Sequence, residues 1–120
     1  MSGQTVPIII NLFAALIGAA GQYLYKAGSL RLKEVPLYLN WQIISGAILF
    51  TGVMGLFIWA FKLGGRISIT YPMYATTFIW GCVLGIIIDK EPWNSAQLVG
   101  LLLVVAGITT IAINATPTTN

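Results

Sequence analysis

The side chains able to do chemistry in this chain are few, and they recur at helical intervals. Asn11, Ala15, Gly18, Gln22 and Lys26 follow one another at alternating steps of four and three residues before Lys26 closes the series one turn past Gln22. On a helix they form one narrow stripe that begins with an amide, passes through small residues and ends in amide and ammonium. Thr70, Tyr74, Thr77, Gly81 and Gly85 repeat the pattern further along. Amides, hydroxyls and an ammonium bind polar or anionic groups by hydrogen bonding. They do not break covalent bonds without a base or a metal, and the chain has no histidine and one cysteine, Cys82. The sequence offers no nucleophile–base pair, metal cluster or phosphate-cradling glycine loop. The expectation is therefore a binding or transport protein and not an enzyme, with no cofactor and no metal.

The elements that carry these stripes are apolar. The run from Ile67 to Ile88 holds no charge; its roughly 22 residues make ~33 Å of helix, which matches a hydrocarbon core of ~30 Å. Arg66 precedes it and Asp89, Lys90 and Glu91 follow. Pro72 lies in its first turns, where its missing N–H frees the carbonyl of Ser68 and kinks the helix. A kinked face of small and polar residues calls for a protein-lined or watery cavity; the plainer alternative is packing against neighbouring helices.

The whole composition agrees. The 120 residues are 58% hydrophobic and 8% charged, whereas soluble domains carry about a quarter charged residues. The net charge of +3 sits at helix ends and bears on membrane orientation, not on nucleic acid, so no nucleic-acid partner is expected. The sequence predicts one all-α transmembrane domain over residues 1–120, with helices at about 6–26, 40–61, 67–88 and 96–114. Pro7 suits a first helical turn and Gly28 is expected to end the first helix. Leu37, Tyr38 and Leu39 read as an interfacial segment before Trp41. Gly46, Gly52 and Gly55 allow a neighbour close to the second helix. Asn94 or Ser95 is expected to cap the fourth helix, whose small-residue stripe, including Gly100 and Gly107, is the expected dimer interface. The polar tail ATPTTN is expected to be disordered, and Asn114-Ala115-Thr116 matches a glycosylation sequon of a length that chance readily supplies. Lys26, Arg31, Lys33 and Lys90 on one side outnumber Lys62 and Arg66 on the other. That favours cytoplasmic first and third loops, with dual orientation left open.

Three segments carry a family resemblance: AAGQYLYKAGSL (Ala19 to Leu30), RISITYPMYATTFIW (Arg66 to Trp80) and DKEPWNSAQLVGLLLVVAGITTI (Asp89 to Ile111). They resemble the small four-helix members of the drug/metabolite transporter superfamily and imply a small multidrug resistance-like bundle. The multidrug exporters of that group carry a membrane-embedded glutamate eight residues before the lysine that ends helix one. Here Gly18 stands at that position. The chain is more similar to the aminoarabinose-phosphoundecaprenol flippase subunit family in Gly21-Gln22…Lys26, Tyr71-Pro72 and Glu91-Pro92. Arg66 stands where that family has no basic residue.

The resemblance implies a flippase in the bacterial inner membrane that moves an undecaprenyl-phosphate-linked sugar for envelope glycan modification. Its subunit would pair with an identical chain or a paralogous four-helix chain. Its candidate substrate-binding residues are Gln22, Lys26, Arg66, Tyr71, Tyr74 and Glu91, with Pro72 as the kink. The cargo is anionic with a polar sugar, which suits cationic helix ends and amide or hydroxyl faces. The alternative is a small multidrug resistance-type exporter of small or cationic solutes.

Overall fold

The computed structural model describes residues 3–115; Ser2, Thr116 of the sequon and the rest of the tail lie outside the described residues. The architecture is all-helical. Four helices are long and apolar enough to cross a membrane: α1 (Thr5–Ser29), α2 (Trp41–Lys62), α3 (Ile67–Ile88) and α4 (Ser95–Ile113). The chain is thus a multi-pass membrane protein, and its four spans follow the uncharged runs of the sequence to within a few residues. Exposed Ile9, Phe13, Ile48, Ile58, Ile87 and Leu103 give it the apolar exterior that lipid requires.

The tightest packing joins α1 to α2, and small residues make it possible. Gly46, Val53 and Ala60 are buried on α2 at intervals of seven. A Cβ on Gly46 would come within 2.8 Å of the Tyr25 ring and 3.1 Å of the Gly21 carbonyl oxygen. A Cβ on Gly21 would come within 2.8 Å of the Phe50 ring, and Tyr25 and Phe50 stack with centroids 5.2 Å apart. Such close backbone approach is how helices associate where lipid removes the hydrophobic drive between them.

Gly28 departs from its expected role. Helix α1 runs past it to Ser29, and the glycine is buried against α2, where a Cβ would meet Ile43 at 2.6 Å and the Asn40 side-chain oxygen at 2.9 Å. It is a lateral packing site and not a helix stop. Asn40, fully buried, caps α2 by accepting from the Ile43 N–H at 3.3 Å and donates to the Gly28 carbonyl at 2.8 Å. Gly52 and Gly55 have nothing within 4 Å, so within this chain they admit no close neighbour. Leu37–Leu39 form a short 3₁₀ turn, exposed as an interfacial segment would be.

The opposite end of α1 is tied by Gln4. Its buried amide donates to the Gly64 carbonyl at 3.0 Å and accepts from the Arg66 N–H at 2.8 Å. Gly64 has φ 97°, a left-handed conformation that a side chain would oppose, and it turns the chain from α2 into α3.

Helix α3 changes character along its length. It is α-helical over Ile67–Met73, 3₁₀ over Tyr74–Thr76, α-helical over Thr77–Val83 and π-helical over Leu84–Ile88. The 3₁₀ segment begins two residues after Pro72, whose ring cannot donate the hydrogen bond that a regular helix needs there. The π segment closes with the Asp89 N–H bonded to the Leu84 carbonyl at 3.2 Å. Lys90 then adopts φ 55°, and the Glu91 N–H returns to the Gly85 carbonyl at 3.0 Å. Asn94 caps α4, accepting from the Gln97 N–H at 2.9 Å. Among the described residues none on α4 is buried, and the molecule is 15 Å across in its thinnest direction.

Candidate functional site

Helices α1 and α3 flank two adjoining, half-open cavities beside the α3–α4 turn. The larger, of about 510 Å³, is lined by Ala19 and Gln22 of α1, Tyr74, Thr77 and Cys82 of α3, Gln97 of α4 and Glu91 of the turn, among others. The smaller, of about 130 Å³, shares Ala19, Gln22, Gly81 and Glu91 with it and adds Tyr23, Lys26, Gly85 and Asp89. The helical stripes explain the walls. Gln22 and Lys26 lie one turn apart on α1, and Tyr74, Thr77, Gly81 and Gly85 face them from α3. Asn11, at the far end of the stripe, is buried and bonds within its own helix to the Pro7 carbonyl at 3.0 Å.

The larger cavity has a largely apolar wall, with Ala19, Phe78 and Ile86 in it, and Glu91 at its rim. Its polar side chains include amides at Gln22 and Gln97, hydroxyls at Tyr74 and Thr77, and the Cys82 thiol, which lies 3.9 Å from the Gln97 amide nitrogen. Tyr74 fills the space a side chain at position 18 would need. A Cβ on Gly18 would overlap the Tyr74 hydroxyl and sit 2.9 Å from its ring carbon Cζ. The Tyr74 ring meets Phe57 edge to face at a centroid distance of 5.0 Å.

Charge collects at one end. The Lys26 ammonium pairs with Asp89 at 2.9 Å and donates to Glu91, and the Tyr23 hydroxyl donates to Asp89 at 3.2 Å. The hydrogen bond from Lys26 holds the Asp89 carboxyl below the usual carboxylate range, outweighing the opposing effect of lost water. One ammonium thus faces two carboxylates. Glu91 can lie there because Gly85 leaves it room, since a Cβ on Gly85 would overlap the carboxylate.

The structure brings Gln22, Lys26, Tyr74 and Glu91 together and leaves Arg66 and Tyr71 apart. Arg66 lies at the other end of α1, beside Gln4. Tyr71 packs edge to face on Phe57 with a centroid distance of 6.1 Å and lines neither cavity; with Pro72 and Phe78 it lines a neighbouring groove that Tyr74 also borders. Gly100 and Gly107 have nothing within 4 Å. Tyr23, Asp89 and Gln97 were not singled out by sequence. Asp89 and Gln97 lie in and just after the turn whose path decides where they point, and Tyr23 is marked only by standing next to Gln22.

The arrangement can hold a hydroxyl-rich or amide-bearing group in its depth and exchange ion-pair partners at its edge. No group of three or more histidine, cysteine, aspartate or glutamate residues placed to hold a metal occurs among the described residues. No family model, curated protein or solved structure matches this chain.

Proposed function

We propose that the chain is a subunit of a flippase that moves a polyprenyl-phosphate-linked sugar across the bacterial inner membrane, with undecaprenyl phosphate as the lipid carrier. The observation that carries this reading is the cavity of about 510 Å³, whose largely apolar wall is set with two amides and two hydroxyls and whose rim holds the Lys26–Glu91 ion pair. A sugar presents hydroxyls that match Gln22, Tyr74, Thr77 and Gln97, and the polyprenyl tail needs no cavity because it stays in lipid. Gly18 and Tyr74 place no carboxylate in the membrane interior, so an anionic cargo meets no buried negative charge there. The resemblance to the aminoarabinose-phosphoundecaprenol flippase subunits points the same way. The thinness of the molecule and the absence of buried residues on α4 support a second subunit, identical or paralogous, as the missing wall.

A second reading, export of small cationic solutes, is favoured by one observation: the edge cluster carries two carboxylates against one ammonium. Reconstitution separates the two. Vesicles containing the protein, tested with and without its paralogue, should move a radiolabelled polyprenyl-phosphate sugar between leaflets and leave quaternary ammonium compounds where they are. Transport of the cation without the lipid overturns the flippase reading. Lys26→Gln is expected to insert normally and lose lipid transport, while Lys26→Arg retains part of it.

A further inference from the structure

The edge cluster stands where two half-open cavities meet. Together with Ala19, Gln22 and Gly81, Glu91 lines both the 130 Å³ and the 510 Å³ cavities. It is held there by three features: the space left by Gly85, the return of its own N–H to the Gly85 carbonyl at 3.0 Å, and its ion pair with Lys26. The backbone that delivers it is not relaxed. A π-helical segment at Leu84–Ile88 and a left-handed Lys90 with φ 55° are conformations that persist where surrounding contacts hold them. The contacts available are those from α1: Lys26 to both carboxylates and Tyr23 to Asp89. Cutting them leaves little to keep the turn drawn in.

We infer that Lys26, Asp89 and Glu91 form a partner-exchange gate, in which a phosphate ester takes Lys26 from the two carboxylates and thereby releases the α3–α4 turn from α1. This rests on reading the cavity as the path of an anionic head group. A third anion cannot join the cluster as it stands, because it would meet two carboxylates within a few ångströms of the one ammonium. Phosphate and carboxylates are therefore alternatives for Lys26, and arrival of the first displaces the second. At the far end of α1 the neutral, buried amide of Gln4 ties the helix to the α2–α3 turn. Opening is expected at the Lys26 end.

Cys82 is the sole cysteine of the chain and lines the larger cavity, so it reports access directly. The measurement is its modification rate by a charged, impermeant methanethiosulfonate reagent added from the Lys26 side, with the full-length protein in nanodiscs. Labelling is expected to run about threefold or more faster in Glu91→Gln than in the unaltered protein, the scale on which loss of a partly exposed ion pair acts. Undecaprenyl phosphate in the nanodisc should accelerate the unaltered protein and add less in Glu91→Gln, where only Asp89 remains to be displaced from Lys26. Acceleration by inorganic phosphate as well shows that the phosphate group alone opens the gate, and acceleration by the lipid alone shows that the anchored head group is required. Both support the exchange. Gly85→Ala provides a second variant that keeps every charge and evicts Glu91 sterically, and it too should label faster. Unchanged labelling in both variants, or faster labelling in the variants with no response to either phosphate, overturns the gate. A phosphate-responsive gate in a protein that fails to move lipid-linked sugar would instead overturn the transport reading and leave the gate standing.

Discussion

Placing a methyl group at Gly18 should disturb function more than stability, and the sign of its effect should depend on Tyr74. A Cβ there overlaps the Tyr74 hydroxyl and lies 2.9 Å and 3.3 Å from ring atoms Cζ and Cε1, so the ring must move. It has somewhere to go, because the same ring lines the cavity of about 510 Å³. Overpacking a closed core costs ~1–3 kcal/mol. Here the expected cost is nearer the edge-to-face contact with Phe57 that the moving ring gives up, ~0.5–1.5 kcal/mol. Alanine is also the better helix former by ~0.5–1 kcal/mol, which leaves a net destabilisation of about 1 kcal/mol or less. The displaced ring occupies the cavity, so the proposed lipid transport should fall steeply. A double-mutant cycle read by thermal unfolding in bilayer-like discs isolates the cause. With Tyr74→Ala the obstruction is gone, and Gly18→Ala should then stabilise by the helix-propensity difference. The same destabilisation in both backgrounds would show that Tyr74 does not occupy this space, and the account of the cavity's uncharged wall would fail with it.

Asn40→Ala removes a cap and a buried bridge to Gly28, and a loss of ~1–2 kcal/mol is expected in the same unfolding measurement; an unchanged melting temperature would refute the assigned role. Pro72→Ala restores a helical hydrogen bond donor, so it should stabilise α3 by up to ~3 kcal/mol and lower flux by straightening the cavity wall; full transport would make the kink incidental. Gly107→Leu should weaken self-association measured by energy transfer in vesicles while Val104→Leu does not, and equal association in the two would exclude the stripe as the interface. Asp89 sets a pH dependence. Its folded pKa lies below the ordinary 3.8 because the ammonium of Lys26 donates to it, with the Tyr23 hydroxyl adding to the effect and Glu91 on the same ammonium. Its contribution is therefore present in full above the ordinary carboxylate value and lost as pH falls through the depressed folded one. The stability difference between the unaltered protein and Asp89→Asn should be flat near neutrality and shrink at acid pH; a difference that grows on acidification would contradict the pairing.

What the sequence made legible was what local pattern controls. The uncharged run Ile67–Ile88 became a span because hydrophobic length and charged ends need no tertiary partner to be recognised. Asn94 became a cap for the same reason, and the stripe through Gln22 and Lys26 follows from helical geometry alone. Gly28 was legible only as a glycine after a helical run. Its use, admitting Ile43 and Asn40, depends on a helix twelve and more residues away. The partners of Lys26 lie 63 and 65 positions further along the chain, and no periodicity connects them. Their approach requires a π-helical turn and a left-handed lysine, neither of which has a signature in the residues Leu84 to Lys90. Tyr71 and Tyr74 are three apart, close enough for one face in a regular helix. Both line the groove beside Pro72, but only Tyr74, where the 3₁₀ segment starts, also lines the larger cavity.

The two ends of α1 are fastened by different chemistry, and this determines how a four-helix chain of this kind can move. At Gln4 an uncharged amide satisfies a backbone carbonyl and a backbone N–H inside the protein. Breaking that tie takes hydrogen bonds from a buried amide, which is costly. At Lys26 the tie is ionic and partly open to water, where an ion pair contributes little and an anion competes directly. Motion that exposes the cavity should therefore pivot about the Gln4 end and widen at the Lys26 end. Helix α1 keeps its glycine-mediated contact with α2 throughout, because separating Gly21, Gly28 and Gly46 from Phe50, Asn40 and Tyr25 would undo the closest packing in the molecule. The moving part is then the lower half of α3 with its turn, and the irregular helix Tyr74–Ile88 is the segment whose hydrogen bonding is already arranged to bend.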